Sequence, residues 1–236
     1  MKIVINPKFS SLSSFIESIP TIFSNEGETI YKARNELKCF TTNYHIVVKR
    51  YRKPHIFNRI AYTFFRPSKA KRAYEYALRL LELEVESPAP IAYIEQSSCG
   101  LFTIGYFISI YEKDYSDIRE LMKGTKKDDE LLKELSLFIA AIHNKGILHL
   151  DMSPGNILYK KTESIYHFSL IDINRMQFIP SISVEKRYKS FKRLSDNQTV
   201  LTTIAKLYAE ASNLNENETV EKIMQYNTEF FLNRES

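Results

Sequence analysis

His149, Asp151 and Asn156 stand in one eight-residue run, His149-Leu150-Asp151-Met152-Ser153-Pro154-Gly155-Asn156. The pattern is H-x-D-x-x-x-x-N. In phosphoryl transfer an Asp in that place orients an attacking hydroxyl and accepts its proton. The Asn five residues on offers a side-chain oxygen to a metal that bridges nucleotide phosphates. Asp172, twenty-one residues past Asp151, closes the apolar run Tyr166–Ile171 and would supply a second metal ligand. A lone Asp in a loop is usually a turn former or a helix cap; the spacing to Asn156 and Asp172 favours chemistry here. His149 reads as a brace of the loop, and His143 as a helix residue satisfied by its neighbours.

The flanking elements have to hold this set in place. Leu131, Leu132, Leu135, Phe138, Ile139 and Ile142 keep a helical period and end at Lys145-Gly146, a buried helix stopped by glycine. After the loop, Ile157–Tyr159 and Tyr166–Ile171 read as two strands around the polar turn Lys160–Ser164. Upstream, Thr29–Arg34, Leu37–Thr42 and Tyr44–Arg50 read as three strands. A helix is expected from Ser68 to Glu86 on the stripe Ala70, Ala73, Tyr74, Ala77, Leu78 and Leu81, ended by Ser87-Pro88-Ala89-Pro90. Ile91–Glu95 and Leu101–Ile110 follow as strands, and the remainder is helical near 115–123, 129–145, 197–212 and 217–232.

A chain of 236 residues with 44% hydrophobic residues can bury a full core and shows no sign of wholesale disorder. Its net charge of +5 favours an anionic partner without naming one. Two cysteines, Cys39 and Cys99, are too few for a disulfide framework or a structural zinc site and read as reduced thiols. No segment approaches the ~20 apolar residues of a membrane span, and Met1–Pro20 lacks the pattern of a signal peptide. A cytoplasmic protein is expected.

Four segments make the chain resemble the lipopolysaccharide core kinases, the Kdo (3-deoxy-D-manno-octulosonic acid) and heptose kinase group of the protein-kinase-like fold. They are Val47–Tyr51, Ser68–Leu81, the run His149–Asn156, and Ile171-Asp172-Ile173-Asn174-Arg175-Met176. The likeness spans roughly residues 28–212. It implies an α/β (α+β) fold of two lobes: a five-stranded antiparallel sheet with one long helix, then a reduced helical lobe, with the active cleft between them. The expected division is 1–27 as an N-terminal extension, 28–112 as the first lobe and 113–236 as the second.

The resemblance also implies roles. ATP and Mg²⁺ are the expected cofactors, with Asp151 as the catalytic base and Asn156 and Asp172 as metal ligands. Lys49 would meet the α and β phosphates, and Glu75 would hold Lys49. Taken alone, Lys49 is an ordinary edge-strand charge and Glu75 an exposed i,i+4 partner of Arg79; Glu82 competes with Glu75 for the role. Arg175 would tether substrate or brace the loop. The acceptor implied is a sugar hydroxyl of the lipopolysaccharide inner core, with a protein Ser/Thr or Tyr kinase, a soluble small-molecule kinase and a non-catalytic scaffold as the alternatives.

Three departures stand out. Ala33-Arg34-Asn35-Glu36 replaces the glycine-rich loop that lets backbone approach phosphates. Ser153 stands where Ser/Thr protein kinases carry a Lys, and no Ala-Pro-Glu segment follows Asp172. The last two suit a small, polar, non-peptide acceptor. Besides these, Asp172 is followed by Ile173-Asn174 and not Phe-Gly, and the loss of that glycine suggests a site fixed in its metal-binding state.

From Lys49 to Tyr76, Arg50, Arg52, Lys53, Arg59, Arg66, Lys69, Lys71 and Arg72 alternate with Tyr51, Phe57, Tyr62, Phe64 and Phe65, against one acid, Glu75. Basic plus aromatic composition suits an anionic membrane surface or a glycolipid. It is also compatible with nucleic acid, which is not the expected partner. A monomer docked peripherally on the cytoplasmic face of the inner membrane is the expectation, and a solvated connector with inward-packed aromatics is the competing one.

Overall fold

The computed structural model describes residues 1–235, which form two compact units, Met1–Lys113 and the chain from Asp114 onward. In the first, β1 (Lys2–Ile5) and a 3₁₀ turn lead into α1 (Ser13–Ile22). Then come β2 (Glu28–Lys32), β3 (Glu36–Thr41), β4 (His45–Arg50), α2 (Ile56–Phe64), α3 (Lys69–Glu82), β5 (Pro90–Ser98) and β6 (Leu101–Ile110). The strands make one antiparallel sheet in the order β1-β5-β6-β4-β3-β2.

Strand alternation decides what each face of this sheet carries. Ile46 and Val48 of β4 and Tyr106 and Ile108 of β6 point to one side, where they bury Ile16 and Ile19 of α1 together with Phe23. Tyr51, Tyr93 and Phe107 point to the other, against Ala70, Tyr74 and Leu78 of α3. Ser68 caps α3, its hydroxyl accepting from the Lys71 amide at 3.1 Å. Small residues then let the helix lie close: a Cβ at Gly105 would stand 3.0 Å from that of Ala70.

The sheet has six strands, not the five expected. Lys2-Ile3-Val4-Ile5 is too short an apolar run to separate from a core segment by pattern alone, yet it pairs in register with β5 as an edge strand. Residues 1–27 thus supply both that strand and the helix on one face. The expected basic connector contains α2, and the expected helix 68–86 stops at Glu82, with Glu84 at φ 53° turning the chain away.

In the second unit the elements are β7 (Ser116–Asp117), α4 (Arg119–Lys123), α5 (Asp129–Asn144), β8 (Ile147–Leu148), β9 (Ile157–Thr162), β10 (Ile165–Leu170), β11 (Gln177–Phe178), α6 (Val184–Ser190), α7 (Gln198–Ser212) and α8 (Glu216–Glu235). Four of these, α6 and the two-residue strands β7, β8 and β11, are absent from the sequence pattern. The expected helix 115–123 begins only at Arg119.

The expected glycine stop is real: Gly146 has φ 76°, donating to the His143 carbonyl and accepting from Ile179 at 2.7 Å. A Cβ there would collide with the Ile179 carbonyl. Leu131, Leu135, Ile139 and Ile142 of α5 are buried, along with Leu201, Ile204 and Ala205 of α7. His143 joins the two helices, its Nδ1 2.9 Å from the Tyr208 hydroxyl. Burial pushes its pKa down to about 3, so the imidazole is neutral in the fold.

Candidate active site

The loop from His149 to Asn156 links β8 to β9, and Asp172 follows β10. Because β9 and β10 pair from Ile157↔Leu170, the residues just beyond that pair, Asn156 and Ile171, come side by side; the Ile171 amide donates to the Asn156 carbonyl at 3.0 Å. Hairpin register thus delivers Asn156 and Asp172 to the same end of two strands. A polar tip with Glu163 at φ 56° closes the other end.

Short bonds fix the loop. The Asp151 carbonyl accepts from the Ser153 amide at 2.9 Å and from the Asn156 side-chain nitrogen at 2.8 Å. The Asp151 amide donates to His149 Nδ1 at 3.1 Å, so Nε2 carries the proton and donates to the Ile171 carbonyl at 3.1 Å. His149 is fully buried, and burial lowers its pKa despite those bonds and the nearby Asp151 and Asp172 carboxylates. A neutral, doubly bonded ring braces the loop and has no free nitrogen for catalysis, in line with the role expected of it.

The carboxylates themselves face different partners. Asp172 adopts the left-handed region, φ 54° and ψ 40°, a conformation that Asp tolerates better than most residues and that collects at functional sites. It opens the 3₁₀ turn Ile173–Arg175, with Ile173 and Asn174 buried, and its Oδ1 accepts from the side-chain nitrogen of Asn174 at 2.6 Å. Arg175 is exposed. Asp151 is half-buried and forms an ion pair, through Oδ1, with Nη1 of Arg193.

Nothing in the spacing of the sequence singles out Arg193. It closes a basic stretch, Lys186–Arg193, that reads as a solvated face. In the fold it sits on a tight turn, Phe191–Arg193, whose Phe191 is fully buried against Tyr208 at 4.8 Å. Asn227 of α8, also fully buried, donates to the carbonyls of Lys192 (3.2 Å) and Ser195 (2.7 Å). The Ser195 hydroxyl donates to the Met122 carbonyl of α4 at 2.7 Å. The backbone under Arg193 is pinned from two sides.

The residues fit a magnesium-bound nucleotide. Mg²⁺ prefers hard oxygen ligands and takes one or two from the protein, completing its shell with phosphate and water. Asp172 would offer a carboxylate, and Asn156, with its nitrogen bonded to Asp151, would offer Oδ1. No group of three or more His, Cys, Asp or Glu residues suited to a metal is found among the described residues.

In the first unit Lys49 lies on β4 between Leu37 and Phe107, on the α3 side of the sheet, with its ammonium 5.4 Å from the Tyr51 ring. Glu75 is on the exposed side of α3 and pairs with Lys71 at 3.6 Å rather than with Arg79, which takes Glu82 at 2.7 Å. Glu75 and Lys71 both act on Tyr93, whose phenol is raised chiefly by burial. The β2–β3 turn has no glycine. Asn35 accepts from the Arg52 amide at 3.3 Å, and Arg34 lines a 160 Å³ recess with Arg52, Lys53, His55 and Lys69.

The expected basic patch splits in two. Arg50 leaves it, pairing with Glu36 at 2.5 Å and lying over the Phe23 ring on the opposite face of the sheet. Arg59 is drawn down to the Phe102 carbonyl at 2.8 Å. Tyr51 is buried and Tyr62 packs on Phe102, but Phe57 and Phe65 are each 82% exposed and Phe64 is 68% exposed. No helix among the described residues is long and apolar enough to cross a membrane.

Comparison with known proteins gives the fold and the family. A solved structure, "WaaP in complex with acyl carrier protein", is 14% identical, covers 98% of this chain and 100% of its own, and superposes with a TM-score of 0.66, which shows the shared protein-kinase-like fold. The Rio2 kinase–ADP/Mg²⁺–phosphoaspartate complex from Chaetomium thermophilum is 15% identical over 92% of this chain and 76% of its own, with a TM-score of 0.49. A putative ribosomal protein S6 kinase alpha-2 of Caenorhabditis elegans is 30% identical over 78 residues; this third of the chain spans a tenth of that relative's length. Residues 23–206 match the family described as "Lipopolysaccharide kinase (Kdo/WaaP) family", which covers both the sheet and the His149–Asp172 region, and the chain belongs to that family.

Proposed function

We propose that the protein transfers the γ-phosphate of ATP to a hydroxyl of a sugar in the lipopolysaccharide inner core, Kdo or heptose. The observation that carries this reading is the meeting of Asn156 and Asp172 at one end of a hairpin, with Asp151 bonded to the Asn156 side chain, in a chain of the lipopolysaccharide kinase family. Asp151 orients the acceptor hydroxyl and takes its proton. Asn156 and Asp172 hold the metal, which when bound neutralises phosphate charge and fixes the γ-phosphate in line with the acceptor. Lys49 meets the α and β phosphates, and Glu75 is its carboxylate partner. Without a glycine cradle, cationic side chains such as Arg34 take over part of the grip on phosphate.

The acceptor is expected at an anionic membrane surface. Ile56, Phe57, Phe64 and Phe65 present apolar area, with Arg52, Lys53, Arg66 and Lys69 nearby, the composition of a helix that lies in the interface. Each such cation is worth about 1 kcal/mol near anionic lipid, and salt screens it. A carrier protein is the second reading for this surface, because the WaaP structure holds one. Binding to anionic vesicles at low salt supports the first; binding to a carrier protein with vesicles ignored supports the second.

The decisive experiment is mass spectrometry of lipid A-core from cells with and without the gene. Loss of one phosphate from an inner-core sugar is the expected result. An unchanged phosphate count with a phosphoprotein appearing instead would move the reading to a protein kinase. No Mg-ATP binding in calorimetry would leave a non-catalytic scaffold.

A further inference from the structure

A recess of 310 Å³ opens beside the loop that carries Asp151. Ser153–Asn156 form one wall, and Phe230 and Phe231 of α8 form another. Three cations reach it from two elements: Arg119 and Lys123, four residues apart and so on one face of α4, and Arg193. One carboxylate, Asp196, lines it with them.

The placement of these charges is specific. The Arg119 guanidinium, paired with Asp117, occupies the space where a Cβ of residue 155 would stand, so Gly155 lets it lie flat on the loop backbone. Arg193, over the Phe230 ring at 5.4 Å, is paired with Asp151 itself. That pair ties up Oδ1, one of the two oxygens of the carboxylate that would take the proton. A guanidinium carries five donors in a planar fork and can hold two carboxylates at once, or exchange one for another.

We propose that this recess is the acceptor subsite, that it takes a sugar acid rather than a neutral sugar, and that Arg193 is shared between Asp151 and the carboxylate of the acceptor. The inference rests on the reading of Asp151 as base given above. A neutral sugar offers only hydroxyls and leaves the Arg193–Asp151 pair intact. A sugar carboxylate competes for the guanidinium and draws it toward the recess, releasing the Asp151 oxygen. The hydroxyl proton then passes to that oxygen as the hydroxyl oxygen bonds to the γ-phosphorus and the bond to ADP breaks. Phe230 and Phe231 supply the apolar face on which the C–H side of a sugar ring can rest. Of the two inner-core sugars, Kdo carries the carboxylate and heptose does not. Arg193 is thereby a specificity residue as well as a positioning one, in a place where the loop has Ser153 instead of Lys.

The test is calorimetric titration of a Kdo methyl glycoside and of its methyl ester, which keeps the hydroxyls and loses the charge. Wild-type protein should bind the acid at least tenfold more tightly than the ester. Arg193→Gln should abolish most of that discrimination, Arg193→Lys should keep part of it, and Lys123→Gln should weaken the acid alone. In turnover the ester should show a lower kcat as well as a higher KM. Equal affinity of wild-type protein for acid and ester, or discrimination that survives Arg193→Gln, overturns the inference. Efficient phosphorylation of a heptose with the sugar acid ignored also overturns it while leaving the kinase reading standing. Full turnover in Asp151→Asn would instead remove the base assignment, and the titration would still judge the recess.

Discussion

The side-chain nitrogen of Asn156 donates to the main-chain carbonyl of Asp151 at 2.8 Å. That bond helps set the shape of the loop and occupies the side-chain nitrogen of Asn156, leaving its Oδ1 for the metal in the function proposed above. Asn156→Ala should remove both effects. Mg-nucleotide affinity should fall by one to two orders of magnitude, and the melting temperature should drop in step with about 1 kcal/mol for the lost bond. Titration with Mg-ATP and a thermal melt measure the two separately.

Asp151→Asn should lower kcat by about 10²–10⁴-fold, the usual contribution of a positioned proton acceptor, with Mg-ATP affinity changed only a few-fold. Asp172→Ala should behave in the opposite way and lose Mg-nucleotide binding. A steady-state assay beside calorimetry on both variants decides this, and interchangeable behaviour would refute the division of roles.

Stability should fall with acid in a defined window. His143 titrates near 6.5 when unfolded and near 3 in the fold, so between those values the unfolded chain binds a proton that the native chain does not. Stability is then full above about pH 6.5 and is lost at up to about 1.4 kcal/mol per pH unit toward pH 3. His149, lowered by burial as well, adds to the same slope. Denaturant midpoints from pH 7 to 4 should show it, and His143→Gln should flatten it.

Gly146→Ala should destabilise the protein by at least about 2 kcal/mol, since a left-handed residue with a Cβ is strained and this Cβ meets a main-chain oxygen that cannot swing away. Gly155→Ala should cost far less, because the displaced group is the mobile end of Arg119. Thermal melts of the two variants give the comparison.

Asn227→Ala should leave the Lys192 and Ser195 carbonyls without their buried donor, at about 1–3 kcal/mol. It should lower kcat with ATP affinity retained, since the turn bearing Arg193 loses its anchor. Unchanged kcat in a folded Asn227→Ala variant would show that the turn holds its place unaided.

The parts of this site that could be read in advance are those carried by local sequence. A loop of eight residues, an apolar strand ending in Asp172 and a helix stopped by Gly146 each leave a short-range mark, because hydrophobic period and turn chemistry are local properties. Arg193 and Asn227 leave none: one looks like any charge in a basic stretch, the other like any polar residue in a helix, and only tertiary packing gives them partners. The edge strand Lys2–Ile5 failed for a related reason, since four residues carry too little alternation to declare a strand. Arg50 and Arg59 were grouped with their neighbours by composition, which is blind to the face of the sheet on which each side chain emerges.

The interval between Asp151 and Asp172 is in effect a hairpin length. Asn156 and Asp172 meet because Ile157 pairs with Leu170, and everything from there to the tip at Glu163 is spacer. Lengthening both strands equally at the tip would leave the two oxygens where they are, while one extra residue in a single strand would turn Asp172 to the wrong face. Relatives that conserve the geometry are thus free to differ in the number of residues between the two acids, provided the change is matched across the turn. A pattern written with a fixed gap would pass over them; one written with a variable gap of preserved parity would not.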